Sequence, residues 1–87
     1  MFYLCISVKG ASITLYKLRK VIYYSQKHGL RVDWRIKPRC LHSYYLQLRI
    51  WDPSAENEFD FVTIEYEERD KNYIKKILFD IKYIFDL

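Results

Sequence analysis

The sequence predicts an α+β domain of order βαβββα: a four-stranded, mostly antiparallel sheet with two helices packed on one face. Three observations lead there. Four segments alternate apolar and polar residues with period two, the mark of half-buried strands. Two others place apolar residues at three-to-four spacing, as amphipathic helices do. Gly, Pro and Asp fall at the joints between them.

The first strand is Phe2 to Lys9. Phe2, Leu4, Ile6 and Val8 point one way; Tyr3, Cys5, Ser7 and Lys9 point the other. Lys9-Gly10-Ala11 is the turn out of it, with Gly10 supplying backbone freedom. Ser12 is the expected N-cap of a helix running to about His28. Leu15, Leu18, Val21, Ile22 and Ser25 make its apolar stripe. Lys27 and His28 fall in the last turn, where cations favour the helix dipole, and Gly29 is a natural residue to end it.

Leu30 to Lys37 alternates again, with Leu30, Val32, Trp34 and Ile36 in the apolar set. Arg31, Asp33, Arg35 and Lys37 form the polar set. Pro38 is expected to end this strand, leaving a loop to His42 that carries Arg39 and Cys40. Ser43 to Trp51 has the strictest alternation and is read as the middle strand of an antiparallel meander. Tyr45, Gln47, Arg49 and Trp51 lie on its polar side. Asp52 to Asn57 reads as a turn. Glu58 to Glu67 is the fourth strand, with its phase left open. Val62, Ile64 and Tyr66 define one face, but Phe59 and Phe61 have the other parity. Either Phe61 is exposed or a bulge near residues 60–62 switches the phase. Asp70 is the expected N-cap of a last helix with Ile74, Ile77, Leu78, Ile81, Ile84 and Phe85 as its stripe.

No linker, repeat or second domain interrupts residues 1–87, so a single domain is expected. A fraction of 51% apolar residues with few Gly and Pro is that of a folded chain. The last five elements share their order with double-stranded-RNA-binding domains, but order alone carries no function.

Charge is unevenly placed. Residues 1–50 hold ten Lys and Arg against Asp33 alone, a net charge of +9, whereas residues 51–87 hold five against ten acids, a net charge of −5. With helices on one face of the sheet, the opposite face would present Arg31, Arg35, Lys37, Tyr45, Arg49 and Trp51, flanked by Arg39 and His42 of the loop. Trp, Tyr and Arg dominate the binding energy of protein interfaces. Arg beside aromatics also suits a polyanion whose bases stack. The bland alternative is that these cations pair across the sheet with Glu65 and Glu67. A second candidate surface is acidic, built from Glu56, Glu58, Asp60, Glu65, Glu67 and Glu68. It would suit the basic groove of a nucleic-acid-handling protein.

Two cysteines are too few for a disulfide framework, so a cytoplasmic protein with free thiols is expected. The apolar opening lacks a basic leader and is too short for a signal peptide or a membrane span. Cys5, His28, Cys40 and His42 match no zinc spacing, so no metal and no cofactor are expected. There is no glycine-rich phosphate loop and no assignable acid–base pair. The expectation is a non-enzymatic, protein-binding regulator or inhibitor that occludes its partner's site. Direct RNA or DNA binding is the alternative. A small ribonuclease using His42 is the weakest reading. A second copy of the chain is a further candidate partner, through a strand edge.

Overall fold

A computed structural model describes residues 2–54 and 60–87. Strand β1 (Phe2–Gly10) is followed by a 3-10 turn at Leu15–Leu18 and helix α1 (Arg19–Lys27). Strands β2 (Arg31–Cys40), β3 (Ser43–Trp51) and β4 (Asp60–Glu67) and helix α2 (Tyr73–Ile84) complete the chain. The predicted α+β architecture is observed.

The sheet order is β2-β3-β1-β4. β3 runs antiparallel to both β2 and β1, and β4 runs parallel to β1. β3 is therefore interior, as expected, but not the middle of a meander. Its second neighbour is β1, and β4 lies beyond. β1, α1 and β2 form a split βαβ unit with β3 inserted between its parallel strands. The residues of β1 explain the choice. Leu4, Ile6 and Val8 are all fully buried, and the other side of the strand carries one charge, Lys9. The acid-rich β4 tolerates an edge better than β1 would.

The core joins Leu4, Ile6 and Val8 of β1 to Leu46, Leu48 and Ile50 of β3, and to Leu18 and Val21, Ile77 and Ile81 from the helical side. Each such side chain contributes about 1.5–3 kcal/mol by leaving water. Ser25, fully buried on α1, donates its hydroxyl hydrogen bond to the Val21 carbonyl at 2.9 Å. At the end of α1, Gly29 adopts φ +79°. The amides of Gly29 and Leu30 bond the carbonyls of Gln26 and Ser25, both at 3.0 Å. This is the Schellman closure that a glycine at this position favours.

Several boundaries differ from the sequence reading. Ser12 does not cap α1, because its amide and hydroxyl are held by Glu68. The chain stays extended at Thr14, and α1 begins only at Arg19. Gly10 has no positive φ, so its role is space and not turn geometry. Pro38 does not end β2. The strand continues to Cys40 with a register shift at Pro38/Cys40, which an edge strand tolerates because Pro need not donate to a ladder. The expected loop from Pro38 to His42 is thus reduced to the turn Leu41–His42, with His42 at φ 66°. β4 keeps unbroken register with β1 from Phe2↔Asp60 to Lys9↔Glu67. Phe61 is accordingly 54% exposed, and no bulge switches the phase. Phe59 and residues 55–57 of the expected turn lie outside the described residues. α2 begins at Tyr73 behind Asn72, and Asp70 instead accepts the Asn72 amide at 3.0 Å in the preceding turn.

Candidate functional site: the open sheet face and the β2 edge

Register places the residues of the uncovered face in four rows across the sheet. From β2 to β4 these are Arg31, Trp51, Tyr3, Phe61; then Asp33, Arg49, Cys5, Thr63; then Arg35, Gln47, Ser7, Glu65; then Lys37, Tyr45, Lys9, Glu67. One end is aromatic, the β2 side is cationic and the β4 side is acidic. All six residues predicted for this face are on it.

Their surroundings differ. Arg49 pairs with Asp33 at 2.9 Å. Arg35 donates from Nε to Gln47 Oε1 at 3.1 Å, and Gln47 donates from Nε2 to Ser7 Oγ at 3.1 Å. Tyr45 lies under the Arg39 guanidinium, 5.3 Å from its ring centre. Trp51 packs at 5.6 Å against Tyr3. Arg31, Lys37 and Lys9 form no ion pair among the described residues.

Pairing of the β2 and β3 cations with Glu65 and Glu67 does not occur. β1 is the intervening strand, and at about 4.8 Å per strand Arg35 stands roughly 14 Å from Glu65. Among the described residues only Asp33 neutralises a cation of this face, and it does so from β2 itself.

Among the described residues, three acids of the 52–70 stretch are engaged by cations. Glu67 pairs with Arg69. Glu68 accepts from Ser12 and from Lys17, the latter at 3.1 Å. Asp70 pairs with Lys76. Burial works against ionisation of Glu68, but the hydrogen bonds from Ser12 and Lys17 outweigh it and hold its carboxyl below the ordinary range. The Lys76 ammonium and the Asn72 amide do the same for Asp70. Glu65 and Asp60 are exposed and form no ion pair among the described residues. Glu56 and Glu58 lie outside those residues.

His42 sits at the hairpin end with Ile36, Pro38 and Tyr44, around a shallow hollow. Its imidazole has no hydrogen-bond partner among the described residues, so no third group orients it as a base. Cys40 Sγ lies 2.9 Å from Ser43 Oγ at the same end. Cys5 is in the second row of the open face, and His28 caps α1. Among the described residues no cluster of three or more His, Cys, Asp and Glu could hold a metal ion. No helix among them is long and apolar enough to cross a membrane.

The sequence reading missed one side of β2. Trp34 and Ile36 belong to its apolar set and were expected in the core, yet they are 44% and 58% exposed. Their direct partners on β3, Leu48 and Leu46, are fully buried at the same level along the sheet. The cover over β3 therefore does not extend sideways over this part of the outer strand. Leu41, at the hairpin tip, is 89% exposed. β2 is also an edge strand, and only Val32 along it is even half-buried. It therefore presents cations on one side, apolar groups on the other and a free backbone between them. Compared with known proteins, the chain matches no family model, no curated relative and no solved structure.

Proposed function

We propose that this protein is a non-catalytic, protein-binding module that regulates or inhibits its partner by covering a site on it. Its contact surface is β2 with the β2–β3 hairpin. The observation that carries this reading is the exposure of Trp34 and Ile36 beside Arg31, Arg35 and Lys37 on an edge strand. Trp and Arg are the residue types that dominate protein interfaces, and apolar side chains left at an edge gain most from being covered.

A second reading, direct binding of RNA or DNA, is favoured by Arg31, Lys37 and Lys9, which form no ion pair among the described residues. It ranks lower because the rings that would stack bases are engaged. Tyr45 is under Arg39 and Trp51 is against Tyr3, and both are half-buried. Phe61 alone of that group is exposed.

The two readings separate in a capture experiment. Tagged protein is incubated with host lysate, with and without nuclease, and what stays bound is identified. The proposal expects a defined protein that survives digestion and is lost from the Trp34→Ala/Ile36→Ala variant. Recovery of nucleic acid, with all binding lost on digestion, would replace it with the second reading.

A further inference from the structure

The geometry points to β2 as a strand-addition site that takes an extended, acidic segment of a partner protein. This rests on the protein-binding reading above and names how the partner binds. In an antiparallel pair, alternate residues turn their amide and carbonyl groups toward the neighbour, and the residues between turn theirs away. Among the described residues β2 has β3 on one side and no strand on the other. Half of its backbone groups over Arg31–Cys40 are therefore available to a further strand, a recurring mode of peptide recognition.

The side chains specify what that strand carries. On the open face β2 presents Arg31, Arg35 and Lys37, and its Asp33 is already taken by Arg49. A strand laid beside them needs acidic residues at alternate positions, since opposite charges directly across are stabilising and like charges are not. On the other face it meets Val32, Trp34, Ile36 and Pro38, so its remaining positions are apolar. The occupant is an alternating acidic–apolar strand.

A second copy of this chain fits less well at the same edge. β2 holds four cations and one acid, so pairing it with itself brings two strongly positive strands together. Centred on Arg35, such a pair sets Arg35 against Arg35 and Arg31 against Arg39, and its Asp33–Lys37 pairs would draw Asp33 away from Arg49. Cations and a proline on an edge are also the usual protection against self-pairing.

The test uses the full chain and a labelled nine-residue peptide alternating valine and glutamate. Binding is read by fluorescence anisotropy, and amide hydrogen exchange is followed by NMR. The expected result is slowed exchange concentrated in residues 31–40, with α2 unchanged. Binding should weaken at least tenfold for Arg35→Glu/Lys37→Glu, for a peptide with lysine replacing glutamate, and for the same peptide N-methylated throughout. Equal binding of the N-methylated peptide would overturn the proposal, because charge alone would then suffice. Protection or shifts on Tyr3, Trp51 and Phe61 in place of β2, or tighter binding of oligothymidylate at the same salt, would overturn it in favour of the open face. Concentration-dependent self-association that protects the β2 amides would overturn it in favour of a second copy. If the peptide fails while a captured protein still depends on Trp34 and Ile36, strand addition is rejected and the protein-binding reading stands. If no protein is captured, that reading falls by its own test.

Discussion

Glu68 lies directly against the α-carbon of Gly10. A β-carbon built on Gly10 would stand 2.7 Å from the Glu68 β-carbon and 2.1 Å from its carboxylate oxygen Oε2. The Glu68 amide donates to the Lys9 carbonyl at 2.9 Å, so backbone and side chain both join the end of β4 to the end of β1. Because the closest atoms include the β-carbon, a swing of the carboxylate alone does not make room. Gly10→Ala should destabilise the protein by about 1–3 kcal/mol, as overpacking of a filled site does. Urea unfolding checks this, and an unchanged midpoint would contradict it.

The same glutamate makes stability depend on acid. Its folded-state carboxyl titrates below the ordinary value of 4.5. The stabilisation is therefore present above that value and is lost as pH falls through the lower folded-state one. Glu68→Gln should lower the melting temperature at pH 7 and flatten its fall between neutral and strongly acid pH. Melting curves from pH 7 down to pH 2 for both proteins provide the comparison.

At alkaline pH the relevant group is Tyr66. Its hydroxyl donates to the Asp80 carboxylate between β4 and α2. Burial, then that bond and the adjacent charge, push the phenol well above its ordinary value of 10.0. The neutral phenol is the form the fold favours, so its contribution is complete below pH 10 and declines as pH rises beyond it. Tyr66→Phe should lose about 1–2 kcal/mol at pH 7, since a hydrogen bond to a charged acceptor is removed and Asp80 is left without it. The variant should also show a smaller loss of stability between pH 9 and pH 11.

The core and the proposed contact surface should separate cleanly by mutation. Leu48, with no exposed surface, should cost about 2–5 kcal/mol as Leu48→Ala. Ile36→Ala, at a side chain 58% exposed, should stay within about 0.5 kcal/mol of the parent protein. The pair of measurements establishes that a binding defect in Ile36→Ala is not a folding defect.

Much of this molecule was legible from local pattern. Alternation identified Leu4, Ile6, Val8, Leu46, Leu48 and Ile50 as core, helical spacing identified Val21, Ile77 and Ile81, and Gly29 marked the end of α1. What stayed hidden depends on contacts between distant residues. Strand order could not be read because β3 and β4 are consecutive in sequence yet separated by β1 in space. Ser12 has the composition of a helix cap, but Glu68, far along the chain, competes for its amide and hydroxyl. Trp34 and Ile36 have the pattern of core residues, and only the place of β2 at the outside of the sheet leaves them exposed while their partners Leu48 and Leu46 are buried. For the candidate site, alternation placed Arg31, Arg35, Lys37, Tyr45, Arg49 and Trp51 on one face. It could not tell that Arg49 is neutralised by Asp33 while Arg31 and Lys37 have no ion pair among the described residues.

The most direct test of the central claim is the affinity of the captured partner, measured by calorimetry, for the parent protein and for Trp34→Ala/Ile36→Ala. Each comparison is made at low and at moderate salt. Loss of two contact residues of this kind should weaken binding by at least tenfold, with a modest salt effect. Unchanged affinity in the double variant, together with a steep fall in affinity as salt rises, would contradict a protein interface at β2 and return the cations of the open face to the centre of the account.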